Sequence, residues 1–457
     1  MEISREDSPL VIGGWTRAVI IRNIFSLAWP IMVSSSLQMV GPTIDMIWVG
    51  KLGTASIAGV GVAGMVVQMV ISLMMGITIG ARAMIARFWG AGDTEGANHI
   101  TGQAFMISAI FAIIIAVVGI FLTEQIMSLF GLELDVITEG ASYMRIMFVG
   151  SVAMSFLVMA QGVMQASGDT VTPMWVTLGS RLLHIALAPF LIFGWWIFPS
   201  LGVSGAAVTN VISQSLGVVL ILWFLFSGRN RLQLNLRNFR VDPNILWRMV
   251  KIGIPASLTM IQYQFGTMVL MWVIAPFGTL VVAAHTVVER AQMFVQMPAV
   301  GIGMAAGILA GQNMGAGRPE QAKSTGWLAI GLVQAVMFLI AVATFLWAEN
   351  LIQIFSSDPV VLVIGSAFLK ISIIGFFFFG TANVLYQCLS HIGDTLPPLL
   401  MIVTAVWAIE LPLAFFLSRY TDLGAYAIRW AIVAHLGVLA VAYIAYFQAN
   451  RWKRKEV

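Results

Sequence analysis

The chain has one cysteine, Cys388, in 457 residues, and a single thiol permits neither an internal disulfide nor a thiolate metal cluster. Charge is nearly as scarce: Asp, Glu, Lys and Arg make up 10% of the residues, where about 25% is usual for soluble domains. That shortage excludes an ordinary soluble enzyme, and the apolar content excludes a disordered chain. The glycine-rich stretch 90–95 lacks the lysine of a phosphate loop. No His-Glu metal motif, paired inward carboxylates in one run or nucleophile motif supports a membrane-embedded enzyme. What is abundant is apolar, at 59% of the residues. One helical span takes about 20 such residues, so this is material for about a dozen spans, and the bilayer is the solvent. The net charge of +4 then reads as a signal of membrane orientation and not of nucleic-acid binding.

Apolar stretches of helical length lie near 24–49, 55–80, 100–122, 139–165, 174–197 and 203–227, and again near 252–275, 281–310, 325–348, 361–388, 397–417 and 424–448. The first is too long for a signal-peptide core and reads as a retained span. If both termini are cytoplasmic, the inside segments hold Arg5, Arg17, Arg22, Arg82 and Arg87, the basic residues of 229–251, Arg318, Lys323 and those of 451–455, and the outside loops hold only Lys51 and Arg419. This is the distribution that the positive-inside rule requires.

Sliding the chain on itself by 225 positions lays Pro30 on Pro255, Gly53-Thr54 on Gly278-Thr279, Gly90-Ala91-Gly92 on Gly315-Ala316-Gly317 and Gly168-Asp169-Thr170 on Gly393-Asp394-Thr395, without a gap. Each half carries six spans, an even number, so the halves enter the membrane with the same orientation and are related by an axis along its normal. The expected fold is an all-α integral membrane protein of twelve transmembrane helices in two six-helix lobes. The lobes are 1–227 and 252–457, the latter with a basic tail, joined by a basic cytoplasmic linker at 228–251.

The run Met297-Pro298-Ala299-Val300-Gly301-Ile302-Gly303, continuing to Gly311-Gln312-Asn313-Met314-Gly315-Ala316-Gly317, closely resembles a signature of the multidrug and toxic compound extrusion (MATE) family. So do Asp45 ahead of Val49-Gly50, the segment Gly168-Asp169-Thr170-Val171-Thr172-Pro173, and Pro189 to Gly194 followed by Leu201-Gly202-Val203-Ser204-Gly205. The resemblance covers both halves. It implies a monomeric efflux antiporter of the inner (plasma) membrane, with no cofactor beyond its coupling ion, exporting amphiphilic organic cations against inward proton or sodium flow. A lipid-precursor flippase shares the architecture, but would want more cationic groups in its cleft than Arg181 and Arg290.

Asp45 is the leading site candidate. It lies deep in the first apolar run, with Gln38 and Thr43 nearby, and an ionisable group there needs a cavity or a partner. The resemblance places the family's coupling aspartate at this position. Arg181 and His184 share a face of the fifth helix. Where sodium-binding relatives carry an asparagine and, four residues on, an aspartate, this chain has His184 and Ala188. Sodium would be left with hydroxyls, amides and carbonyls such as those of Thr209, whereas histidine suits a proton. Proton coupling is therefore expected, with sodium the alternative. Family members also carry carboxylates in the seventh and tenth helices; here the seventh offers Gln262, Tyr263 and Gln264, and the tenth Asn383 and Gln387. Glu289, beside Arg290, and Glu410, before Pro412, are the second-half carboxylates. The expected substrate contacts are Asp45, Gln38, Gln262, Glu289, Glu410 and Asn383. Twenty-seven Met and 28 Phe suit an adaptable cavity. Gly303, Gly307 and Gly311 read as a packing stripe, and Asp169 and Asp394 as helix caps.

Overall fold

Lipid offers the backbone no hydrogen bonds, so each apolar run satisfies its own amides as a helix. The computed structural model describes residues 17–196, 199–228 and 230–455; Arg5 and Arg229, counted above, lie outside the described residues. Among these the spans are α1 (Arg17–Val49), α2 (Thr54–Gly90), α3 (Thr94–Phe121), α4 (Leu134–Val149 and Ser151–Ala166), α5 (Val171–Phe193) and α6 (Val203–Phe226). The second half supplies α7 (Pro243–Ile274), α8 (Thr279–Gly315), α9 (Pro319–Gln353), α10 (Pro359–Ile392), α11 (Leu396–Tyr420) and α12 (Tyr426–Gln448). Eleven are single helices long and apolar enough to cross a bilayer, and α4, bent by 51°, is the twelfth span.

The bend in α4 falls at Gly150, where a side chain would overlap Val211 of α6; sequence alone read 139–165 as one apolar stretch. In α11 the turn Ala405–Glu410 is a π-helix. Pro412 has no N–H to give the preceding turn and its ring crowds a carbonyl there, so the turn widens. The seventh helix begins at Pro243, inside the stretch read from sequence as linker, because Asp242 caps it through Asn244 and Ile245.

The repeat is visible in backbone geometry. Gly168 and Gly393, aligned in sequence, have φ of 92° and 94°, left-handed values that a glycine adopts without strain at a helix end. Contacts between the halves are reciprocal too. A methyl group on Gly90 would overlap the carbonyl of Gln312, and one on Gly315 that of Arg87; Gly76 abuts Ser257 just as Gly301 abuts Met32. Each member of one contact is the repeat counterpart of a member of the other. A pseudo-two-fold axis therefore passes between α2 and α8, and backbone-to-backbone contact closes the lobes at the end that carries the chain termini. The first and seventh helices cross between lobes. Ile20, Ile24, Leu27, Ala28 and Ile31 of α1 lie in the core of the second lobe, and Met249 and Ile252 of α7 in that of the first.

The connecting segment is pinned to α3. Gln103 donates to the carbonyls of Asn238 (3.2 Å) and Arg240 (2.6 Å) and accepts from the Asp242 amide (3.0 Å). Arg231 donates to the Ser167 carbonyl at 3.2 Å; burial lowers its guanidinium pKa from the ordinary value, and Asp169 opposes that. Asp169 also accepts from the Thr172 amide at 3.0 Å, the capping expected of it. Asp394 differs: it accepts from the Tyr446 hydroxyl at 2.6 Å and lies 3.5 Å from Lys455 Nζ.

Candidate functional site

The C-terminal half of α1 packs on α5, which brings Asp45 to His184. Oδ1 and Nε2 are 2.9 Å apart, and the residues are 2% and 0% exposed. Asp45 Oδ2 and His184 Nδ1 are buried with no other hydrogen-bond partner. Tyr143 of α4 is buried within range of the Asp45 charge. Arg181 lies against the α1 backbone at Gly41, within range of Asp45 but not in a contact ion pair among the described residues. Ala188 is fully buried one turn beyond His184. The two titratable groups act as one unit. Holding one shared proton the pair is neutral; losing it leaves one negative charge in a dry interior, which must be met by Arg181, water or an incoming cation.

Two first-half candidates are engaged elsewhere. Thr209 donates to the Gly205 carbonyl at 2.7 Å, and its own carbonyl accepts from Ser213 at 2.8 Å, so both its oxygens serve α6 and not Asp45. Gln38 is exposed and reaches Gln161 of α4 at 3.4 Å, which continues to Thr177 of α5 at 2.9 Å.

In the second lobe a cavity of about 420 Å³ lies among α7, α8, α10, α11 and α12. Glu289, Glu410 and Asn383 line it. Arg290, next to Glu289, is exposed; the partner of Glu289 is Arg429 of α12, whose Nη1 donates at 2.9 Å while Nη2 donates to the His285 carbonyl at 3.1 Å. Arg429 is fully buried and Glu289 keeps 31% of its side chain exposed at the cavity. An arginine stays protonated, so with Glu289 ionised the pair carries no net charge. Glu410, turned inward by the π-turn, is buried, with Oε2 3.1 Å from His435 Nδ1. A second carboxylate and imidazole are thus neighbours at the cavity, within ion-pair distance but without the hydrogen bond that joins Asp45 to His184. Gln262 sits on α7 but is not part of the cavity wall, where Tyr263 takes the place expected for it. Among the described residues no three His, Cys, Asp or Glu converge as metal ligands would.

Sequence reasoning missed Arg429 and His435 as site residues. Both are ionisable groups inside the last apolar run, and that was the available signal. Their partners were not readable, because Arg429 is 140 residues from Glu289.

Comparison with known proteins bears on the family and the fold. The MatE family model matches residues 30–190 and 255–416, one stretch in each half. The chain is 28% identical to the probable multidrug resistance protein YoeA of Bacillus subtilis, over 100% of this chain and 99% of that protein. It is 27% identical to the probable multidrug resistance protein NorM of Thermotoga maritima, over 95% and 94%. The fold is similar to that of a MOP superfamily transporter from Pyrococcus furiosus, with a TM-score of 0.88, 23% identity and coverage of 94% and 96%. It is also similar to a multidrug resistance MATE transporter in an outward-facing conformation, with a TM-score of 0.87, 24% identity and the same coverage.

Proposed function

Since the chain belongs to the MatE family, a family of multidrug efflux transporters and not of enzymes, we propose that it exports amphiphilic organic cations in exchange for protons. It works as a monomer in the inner membrane, with both termini cytoplasmic. The lobes at 1–227 and 252–457 rock about the linker at 228–251. The observation that carries the reading is the buried Asp45–His184 pair, 2.9 Å apart, with Ala188 and no second carboxylate on that face of α5. Protonated, the pair is neutral and rests in a dry first lobe. Deprotonated, it holds a charge that a cation can balance, so proton and cation compete for one state of the lobe, and that competition is antiport. The lobes touch at the terminus-bearing end, which on this reading faces the cytoplasm, and protonation from the opposite side discharges the cargo.

Sodium wants several hard oxygens, and on α5 the position that would add a carboxylate is held by the buried Ala188. In the cavity Glu289 neutralises Arg429, which leaves Glu410 to attract a cation and offers no free guanidinium to a lipid phosphate. The test is efflux of ethidium from proteoliposomes under separately imposed gradients. Efflux is expected with an inward proton gradient and not with an inward sodium gradient; sodium-driven efflux persisting with a protonophore would overturn the assignment.

A further inference from the structure

One buried polar feature lies outside both carboxylate–imidazole pairs. Asn383, Tyr386, Gln387, Ser390 and His391 stand at offsets of zero, three, four, seven and eight along α10, and so share one face. The first two line the second-lobe cavity; His391 ends the helix, and Asp394 follows at the terminus-bearing face. Asn383 Oδ1 and His391 Nε2 are buried polar atoms without a protein hydrogen-bond partner, Tyr386 Oη and Ser390 Oγ have none beyond each other, and Ser390 and His391 are 0% exposed. Buried groups of this kind are costly when isolated, yet here four lie in a row.

The neighbouring helix is shaped around them. Gly303 abuts Asn383 and Gly307 abuts the Gln387 carbonyl and His391 Nδ1; a methyl group at either position would overlap those atoms. The glycine stripe of α8, which reads from sequence as packing, is what leaves room for the polar face of α10. The tautomer of His391 also follows. Nδ1 lies 2.9 Å from the Gln387 carbonyl, an acceptor only, so Nδ1 carries the hydrogen and Nε2 is a bare base. Among the described residues Arg82 of α2, from the other lobe, is a charged group within electrostatic range of the ring; Gly307 and Gly311 of α8 bring no charge.

We propose that this face of α10 is a proton pathway from the second-lobe cavity to the terminus-bearing surface, with His391 as its relay residue. The inference rests on the proton-coupled reading above and assigns the second lobe a part in it. The source is the Glu410 carboxyl in the cavity. The steps from Asn383 to Tyr386 and from Tyr386 to Ser390 are each about one turn, ~5.4 Å, a span that one bridging water covers, and His391 adjoins Ser390. At His391 the incoming proton forms an N–H bond with the Nε2 lone pair, giving imidazolium. The same bond breaks when the proton passes to water at the terminus-bearing face, and the neutral ring with Nδ1–H is restored. While charged, the ring is repelled by Arg82 across the lobe contact, so a loaded relay favours parting of the lobes at the end where the proton leaves.

The test uses the full-length protein in proteoliposomes with a trapped pH dye and ethidium as the probe substrate. His391→Gln keeps an amide near the Gln387 carbonyl but has no ring nitrogen that can take up and release a proton. It is expected to cut ethidium-coupled proton flux at least tenfold and flatten its pH profile, while ethidium affinity in detergent stays within twofold. Ser390→Ala, which removes one buried hydroxyl and little volume, is expected to slow the flux severalfold in the same way and covers a His391→Gln protein that fails to fold. Wild-type proton flux and pH profile in both variants would overturn the pathway and leave proton coupling standing. Absence of ethidium-coupled proton flux from the wild type would overturn both.

Discussion

Asp45 costs least when protonated and His184 costs least when neutral, because each is buried at 3% side-chain exposure or less. A single shared proton satisfies both. Asp45→Asn keeps the shape and removes the titrating oxygen, so active efflux is expected to fall to background while the protein still purifies as a folded monomer. Full activity in that variant would remove Asp45 from the mechanism. His184→Ala removes a hydrogen-bonded ring and is expected to cost about 1–3 kcal/mol of stability, measurable as a lower Tm. The carboxylate remains, so transport persists with a shifted pH profile. An unchanged profile would mean that His184 only fills space.

Helix pairs carry the next level of specificity. The contact between α2 and α8 is backbone against backbone at Gly90 and Gly315, and a carbonyl cannot move aside as a flexible side chain can. Gly315→Ala should therefore push the two helices apart at the terminus-bearing end and cost about 1–3 kcal/mol. Spin labels at the ends of α2 and α8 are expected to report a longer distance in this variant. Gly331→Ala provides the control, since nothing lies within 4 Å of a methyl group there, and it should leave the distance unchanged. A wild-type distance in Gly315→Ala would show that the glycine is not a steric stop. The π-turn acts at the same scale: Pro412 widens one turn of α11, and the widened turn carries Glu410 inward.

For the whole molecule, between 33% and 56% of each hydrophobic window is buried inside the protein, and lipid covers the rest. The orientation of that body follows from Lys and Arg. Gln233→Cys and Lys51→Cys place thiols at exposed positions at opposite ends, and the native Cys388, fully buried, gives a silent background. An impermeant maleimide added outside intact cells is expected to label position 51 and spare position 233. Labelling of 233 from outside would invert the topology.

The sequence by itself determined the solvent, the number of spans, the even division into two lobes and the axis between them. Composition and repeat are properties of the chain in order, and the bilayer leaves the helix as the structure an isolated run can adopt. Asp45 and His184 were legible as candidates because an ionisable residue in an apolar run has few benign explanations. Tertiary structure decided which residues meet. The aligned halves place Leu270 opposite Asp45 and Ile409 opposite His184, so the repeat that fixes the fold says nothing of the second lobe's chemistry. There Arg429, and not the adjacent Arg290, neutralises Glu289, and His435 meets Glu410. Thr209 was placed on the right helix, but its hydroxyl is taken by the turn before it. Pairings across more than a hundred residues, and the direction in which a widened turn points a carboxylate, depend on helix rotation and crossing, which close packing sets and local spacing does not encode.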